Sequence, residues 1–135
     1  MRAIRDLKGT VYRLNKPLID FEIERGQITT LDFFDTENLP YEFIQKNKYS
    51  ALLTFLDDRV CPDTRIGLQR DLERAGIPYF NLDEILKYSN GYSVQDYYWI
   101  RFDNGVQSWE ELVHHKYDGL KACENFKNKL LSLTL

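Results

Sequence analysis

Along residues 8–34 apolar and polar side chains alternate, and the pattern reads as β structure. Val11 and Tyr12 precede a turn expected at Asn15, Lys16 and Pro17; after it, Leu18, Asp20, Glu22 and Glu24 alternate with Ile19, Phe21 and Ile23. A period of two is that of a half-buried strand, and it predicts that the Ile19, Phe21, Ile23 face points inward. Arg25 and Gly26 supply the next turn, and Gln27 to Phe33 make a third strand rich in β-branched and aromatic residues. Three such strands form an antiparallel meander with one apolar face, which helices from the rest of the chain are expected to cover.

Beyond residue 34 the period changes. Residues 35–48, with Asn38, Pro40 and Asn47, show no sustained period and read as a connecting loop. Tyr49, Leu52, Leu53, Phe55 and Leu56 then follow the spacing of a short amphipathic helix that ends before Cys61 and Pro62. Asp63 or Thr64 can cap a second helix, whose apolar side is Ile66, Leu68, Leu72 and Ala75 and which Gly76 closes. Asn81 with Glu84 opens a third through Ile85 and Leu86, stopped near Asn90 and Gly91. Ser93 and Asp96 suggest one more turn before a dense strand over residues 97–102, which Asp103, Asn104 and Gly105 end. Ser108 with Glu111 opens a helix carrying Trp109, Leu112 and Val113, and a final helix runs through Leu120, Cys123, Phe126, Leu130 and Leu131. The expected class is α+β: a β meander over about 8–34 packed against several short helices of a mixed part over about 48–132, with a further strand near 97–102.

At 135 residues this is one expected domain spanning 1–135, and an apolar content of 43% with 14% aromatics supplies a core. No apolar run reaches the roughly 20 residues of a membrane span, and the first residues lack a signal-peptide segment, so a cytoplasmic protein without membrane contact is expected. Cys61 and Cys123 are far apart and read as reduced, buried fillers. The net charge of -3 is uneven: residues 51–112 hold eleven acidic and six basic side chains, and residues 113–135 two and four. Such a balance opposes a broad nucleic-acid face; in a chain this mildly acidic a simply solvated surface accounts for it, and the acidic middle would also suit a basic protein partner.

Chemistry is sparse. His114 and His115 are adjacent, so on a helix they point about 100° apart and cannot share a metal as an i, i+4 pair does. Paired carboxylates (Asp57 and Asp58, Asp83 and Glu84, Glu110 and Glu111) sit at expected helix ends, where caps explain them. Phosphate-loop, dinucleotide, zinc-protease and serine-hydrolase motifs are missing, so neither a catalytic residue, a metal nor a cofactor is expected. The residue types suited to binding are Arg59, Arg65, Arg70 and Arg74, with Trp99 and Trp109 among the aromatics. The same arginines could cap helix ends, Arg59 and Arg65 holding Asp57 and Asp63, while the strand aromatics fill the core.

The succession Phe55 to Leu68 (FLDDRVCPDTRIGL), Asn90 to Ile100 (NGYSVQDYYWI) and Trp109, Glu110, Glu111 resembles Firmicutes proteins described as HipA-like, either domains ahead of a HipA-type kinase or small stand-alone proteins of mobile elements. The shared pattern approximates W-x-x-x-R-x-x-P-x-x-R-x-G, then G-[LV]-S-x-x-D-x-Y-W-I, then W-E-D, over residues 10–112, with Phe55 standing where tryptophan is usual. No room is left for kinase lobes, so the resemblance implies an accessory domain, with Arg59, Pro62 and Arg65 shaping its helical corner. The expectation is a non-catalytic protein-binding module, of phage or mobile-element type, acting on host or defence machinery in the manner of anti-CRISPR inhibitors. The alternatives are a nucleic-acid-associated regulator using the arginines and C-terminal lysines, and an enzyme built on Cys61 or the carboxylates.

Overall fold

The computed structural model of the chain describes residues 4–45, 47–60, 70, 73, 76, 81–93 and 96–119. Its elements are β1 (Leu7–Arg13), β2 (Lys16–Glu24), β3 (Gln27–Phe33), α1 (Glu42–Gln45), α2 (Lys48–Asp58), α3 (Leu82–Ser89), β4 (Tyr98–Arg101) and α4 (Trp109–Gly119). The four strands make one antiparallel sheet in the order β3-β2-β1-β4. The architecture is therefore the expected α+β, with the late strand joined to the side of β1 that the meander leaves free.

The β2–β3 hairpin turns at Arg25 and Gly26, whose positive φ values of 51° and 79° suit the right-handed twist of the flanking strands. The β1–β2 turn falls earlier than expected, at Leu14 and Asn15, and Lys16 and Pro17 already belong to β2. Two facts explain the shift. Leu14 takes a φ of 55° and donates its N–H to Tyr97 O at 3.0 Å, and the register slips between Val11 and Tyr12, which lets Pro17 sit in the strand without a ladder donor.

Ile19, Phe21 and Ile23 face inward as expected and, with Val11 and Ile100, pack against Leu52, Phe55 and Leu56 of α2 and Ile85 and Leu86 of α3. Burying each of these side chains contributes about 1.5–3 kcal/mol. β1 and β4 approach closely where Gly9 leaves space, since a Cβ there would lie 2.9 Å from Ile100 Cγ2. Asn47 caps α2 by accepting from Ser50 N at 3.0 Å, and Asn81 caps α3 by accepting from Glu84 N at the same distance. The stretch 35–48 read as loop holds the short helix α1, because Phe43 packs edge-on against Phe33 at 5.9 Å and ties one turn to the sheet.

The strand aromatics do not all enter one core. Strand alternation puts Trp99 and Tyr12 on the face opposite Ile100, with ring centroids 5.1 Å apart. Trp99 and Leu112 are fully buried yet stand outside the main cluster. The chain leading into α4 lies on this second face: Arg101 donates to Tyr12 Oη and to Gln107 Oε1. Asn15 anchors the helix by accepting from Trp109 N at 2.8 Å and donating to both oxygens of Glu110 at 2.9 Å. Ser108 Oγ accepts from Glu111 N as its cap.

The Cys61–Pro62 corner, Arg65, Arg74, the apolar side of the second expected helix, and the final helix with Cys123 lie outside the described residues. Of that second helix, Arg70 and Glu73 are helical, and Gly76 sits in a turn at φ 77°.

Candidate functional site

Arg59 stands at the C-terminal end of α2, where the helix dipole favours a cation, and is 7% exposed. Its guanidinium makes a two-pronged contact with Asp96, Nη1 to Oδ2 at 2.6 Å and Nη2 to Oδ1 at 2.8 Å. Nε donates to Gly91 O at 2.7 Å and Nη2 also to Tyr98 O at 2.8 Å, while the group lies over the Phe55 ring. The planar fork of arginine fits this set of acceptors as a lysine point charge cannot. Two of the motif elements quoted above, the Arg59 element and the Ser93–Ile100 element, therefore meet in space through one side chain.

The purpose of the cluster emerges from the sheet edge. The 14/97 bond puts the backbone groups of Tyr98 and Ile100 on the outer side of β4. Each one has a partner: Tyr98 N donates to Asp96 Oδ1, Tyr98 O accepts from Arg59, Ile100 N donates to Asn90 O at 2.7 Å and Ile100 O accepts from Asn90 Nδ2 at 3.0 Å. Asn90 thus acts as a one-residue strand. It can do so because it occupies the left-handed region at φ 56°, which asparagine tolerates, and Gly91 follows at φ 60° where a Cβ would meet Ile100 Cδ1 at 3.0 Å. The buried polar residues among those described are Arg59, Ser89, Asn90 and Ser93; Arg59 and Asn90 hold this seam, and Ser89 Oγ accepts from Gly91 N beside it.

Among the described residues the opposite edge has no such seal. Phe34 N donates to Leu18 O at 2.8 Å, and this register turns the N–H and C=O of Leu31 and Phe33 away from β2. Among the described residues no donor or acceptor reaches them. On the face opposite the core, Asp20 and Asp32 are directly paired across β2 and β3, a like-charge confrontation that disfavours the pair. Asp20 accepts from Thr10 Oγ1 at 2.9 Å; Asp32 is exposed.

Beyond β3 several large apolar side chains come to the surface among polar ones. Of the exposed large apolar side chains described, Phe34, Tyr41, Ile44 and Tyr49 fall within one short segment, and only Tyr97 lies elsewhere. Ile44 is 77% exposed although it sits on a helix whose Phe43 is anchored in the core. Two carboxylates of the same segment are perturbed by other neighbours. Asp35 is held below the usual carboxylate range by Lys16 at 2.8 Å, whereas burial and a hydrogen bond with Asp58 push Glu42 up to about 6.

Of the residues proposed for binding, Arg59 and Trp99 are inside the fold, Trp99 donating Nε1–H to Leu14 O at 2.7 Å. Trp109 is half-buried between the Tyr92 and Tyr97 rings, each about 6.0 Å away. Arg70 is exposed, and Arg65 and Arg74 lie outside the described residues. The exposure of Phe34, Tyr41 and Ile44 escaped sequence reasoning, although apolar residues in and beside a stretch without period were its available signal, and Tyr49, expected on the apolar stripe of α2, is instead half exposed at the first turn of that helix. An open groove of about 640 Å³ lies elsewhere, between Asp6, Lys8, Glu24, Lys87 and Asp103, with charges of both signs. Among the described residues, no group of three or more His, Cys, Asp or Glu side chains could hold a metal ion, and no helix is long and apolar enough to cross a membrane.

No protein-family model, curated protein or solved structure matches this chain.

Proposed function

We propose that the chain is a non-catalytic protein-binding module whose contact surface is the β3 side of the sheet together with Phe34, Tyr41, Ile44 and Tyr49. The observation that carries this reading is the concentration of exposed aromatic and aliphatic side chains in that one segment. Such residues supply most of the energy of protein interfaces once a partner dries them. The exposed carboxylates Asp32 and Glu37, on either side of Phe34 in sequence, favour a partner with a basic rim around apolar anchors. An accessory role of this kind agrees with the HipA-like resemblance, and action on a host or defence protein belongs to the same proposal.

The test places a photo-crosslinking amino acid at Ile44 and, as a control, at the exposed Glu73, which is outside the Phe34–Tyr49 segment. The reading expects a discrete protein adduct from position 44 that Tyr41→Ala weakens and that position 73 does not give. Identical adducts from both positions, or capture of nucleic acid from position 73 alone, would overturn it.

A further inference from the structure

The open edge of β3 narrows what the partner presents. An edge strand with unpaired backbone groups is a template for another strand, and proteins commonly blunt such edges. Here one edge is sealed by Arg59, Asn90 and Asp96, while the N–H and C=O of Leu31 and Phe33 are left without partners among the described residues. Side chains on an added strand would share the faces of their β3 neighbours. A residue beside Asp32 would lie on the outer face, next to the Asp20 and Asp32 carboxylates, where a cation relieves their confrontation. A residue beside Leu31 or Phe33 would lie on the core face, at the rim formed by Phe33 and Phe43, where an apolar side chain fits.

We infer that β3 accepts an extended segment of the partner protein as a fifth strand, with basic residues alternating with apolar ones. The inference rests on the reading of the β3 side as the contact surface and specifies its recognition mode: main-chain bonds hold the segment, and alternate side chains select it. A second copy of this chain is a poorer occupant, because β3 carries an acidic residue and no basic one.

The test uses three capped peptides as long as β3: alternating lysine and valine, the same composition in two blocks, and alternating glutamate and valine. Binding is measured by calorimetry and amide exchange by NMR. The alternating lysine peptide is expected to bind at least about tenfold more tightly than the block peptide and to protect the Leu31 and Phe33 amides. Asp32→Lys, an exposed change that leaves the packing alone, is expected to weaken it about tenfold. Leu31→Pro removes an N–H that β2 does not use and should abolish the protection; near-UV circular dichroism checks that this variant is folded, and Asp32→Lys carries the test if it is not. Equal binding of alternating and block peptides, protection outside β3, or sedimentation showing a dimer that Leu31→Pro dissociates would overturn the inference. A position-44 adduct combined with unprotected Leu31 and Phe33 amides would sink strand addition alone, whereas loss of the adduct would sink the wider reading.

Discussion

The two edges of the sheet meet the same physical problem with opposite outcomes. Each exposes the backbone groups of two alternating residues, Tyr98 and Ile100 on β4, Leu31 and Phe33 on β3. At β4 the chain invests an arginine, an asparagine in the left-handed region and an aspartate, all arriving from outside the strand. At β3 it supplies nothing comparable among the described residues and instead sets exposed apolar side chains beside it. Buried polar groups are costly unless satisfied, so the closed edge is a structural seam whose members stand or fall together. The open edge carries no such coupling, and its residues can change with little effect on stability.

The largest effect that would break this contrast is expected from Arg59→Met. It strands Asp96 and removes the donors serving Gly91 O and Tyr98 O, and about 3 kcal/mol of stability should be lost in urea unfolding, the low end for a broken buried pair because Asp96 keeps 37% side-chain exposure. Arg59→Lys should recover only part, since one ammonium cannot serve four bonds. A loss below about 0.5 kcal/mol, the range of ordinary surface changes, would mean that the seam is not structural. Asn90→Gly sharpens the point, because it keeps the backbone conformation and deletes only the bond to Ile100 O. It should cost about 1–3 kcal/mol, the penalty of an unsatisfied buried carbonyl, with faster exchange at Ile100.

Changes at the open edge should be smaller and can run the other way. Asp32→Asn removes the like-charge pair with Asp20 and is expected to stabilise the chain by about 0.2–1 kcal/mol, more at low salt. A destabilisation would show that Asp32 has a structural partner. The smallest effect concerns pH. Glu42 has its carboxyl raised to about 6 by burial first and by its hydrogen bond with Asp58 second, with Arg59 pulling the other way. The folded chain therefore binds this proton more tightly than the unfolded chain does, so stability is fullest below the ordinary glutamate value of 4.5 and is lost as pH rises toward 6. Glu42→Gln should flatten thermal stability across that window; an unchanged slope would dissociate Glu42 from it.

Much of the fold was legible because it is local. The alternation of Ile19, Phe21 and Ile23, the Arg25–Gly26 turn and the Asn81 and Ser108 caps each depend on residues a few positions apart. The turn at Leu14 was not, because its positive φ is secured by Tyr97 and Trp99 far along the chain. Arg59 was singled out by residue type, yet its partner Asp96 lies 37 residues away and nothing in the spacing names it. Asn90 was read as a helix stop, and its second task follows only from where β4 passes. The Phe34–Tyr49 surface was hidden for a different reason: exposure is a property of the folded whole, and α1 shows its Ile44 only because Phe43 takes the inward place.

Residue-resolved amide hydrogen exchange on the isolated chain puts the two edges side by side. The account predicts that the outward N–H groups of Tyr98 and Ile100 exchange slowly, Ile100 near the rate of global unfolding, while those of Leu31 and Phe33 exchange orders of magnitude faster although their neighbours Thr30 and Asp32 are protected by β2. Protection of Leu31 and Phe33 equal to that of Ile100 would contradict it, since it would mean that the β3 edge is already covered.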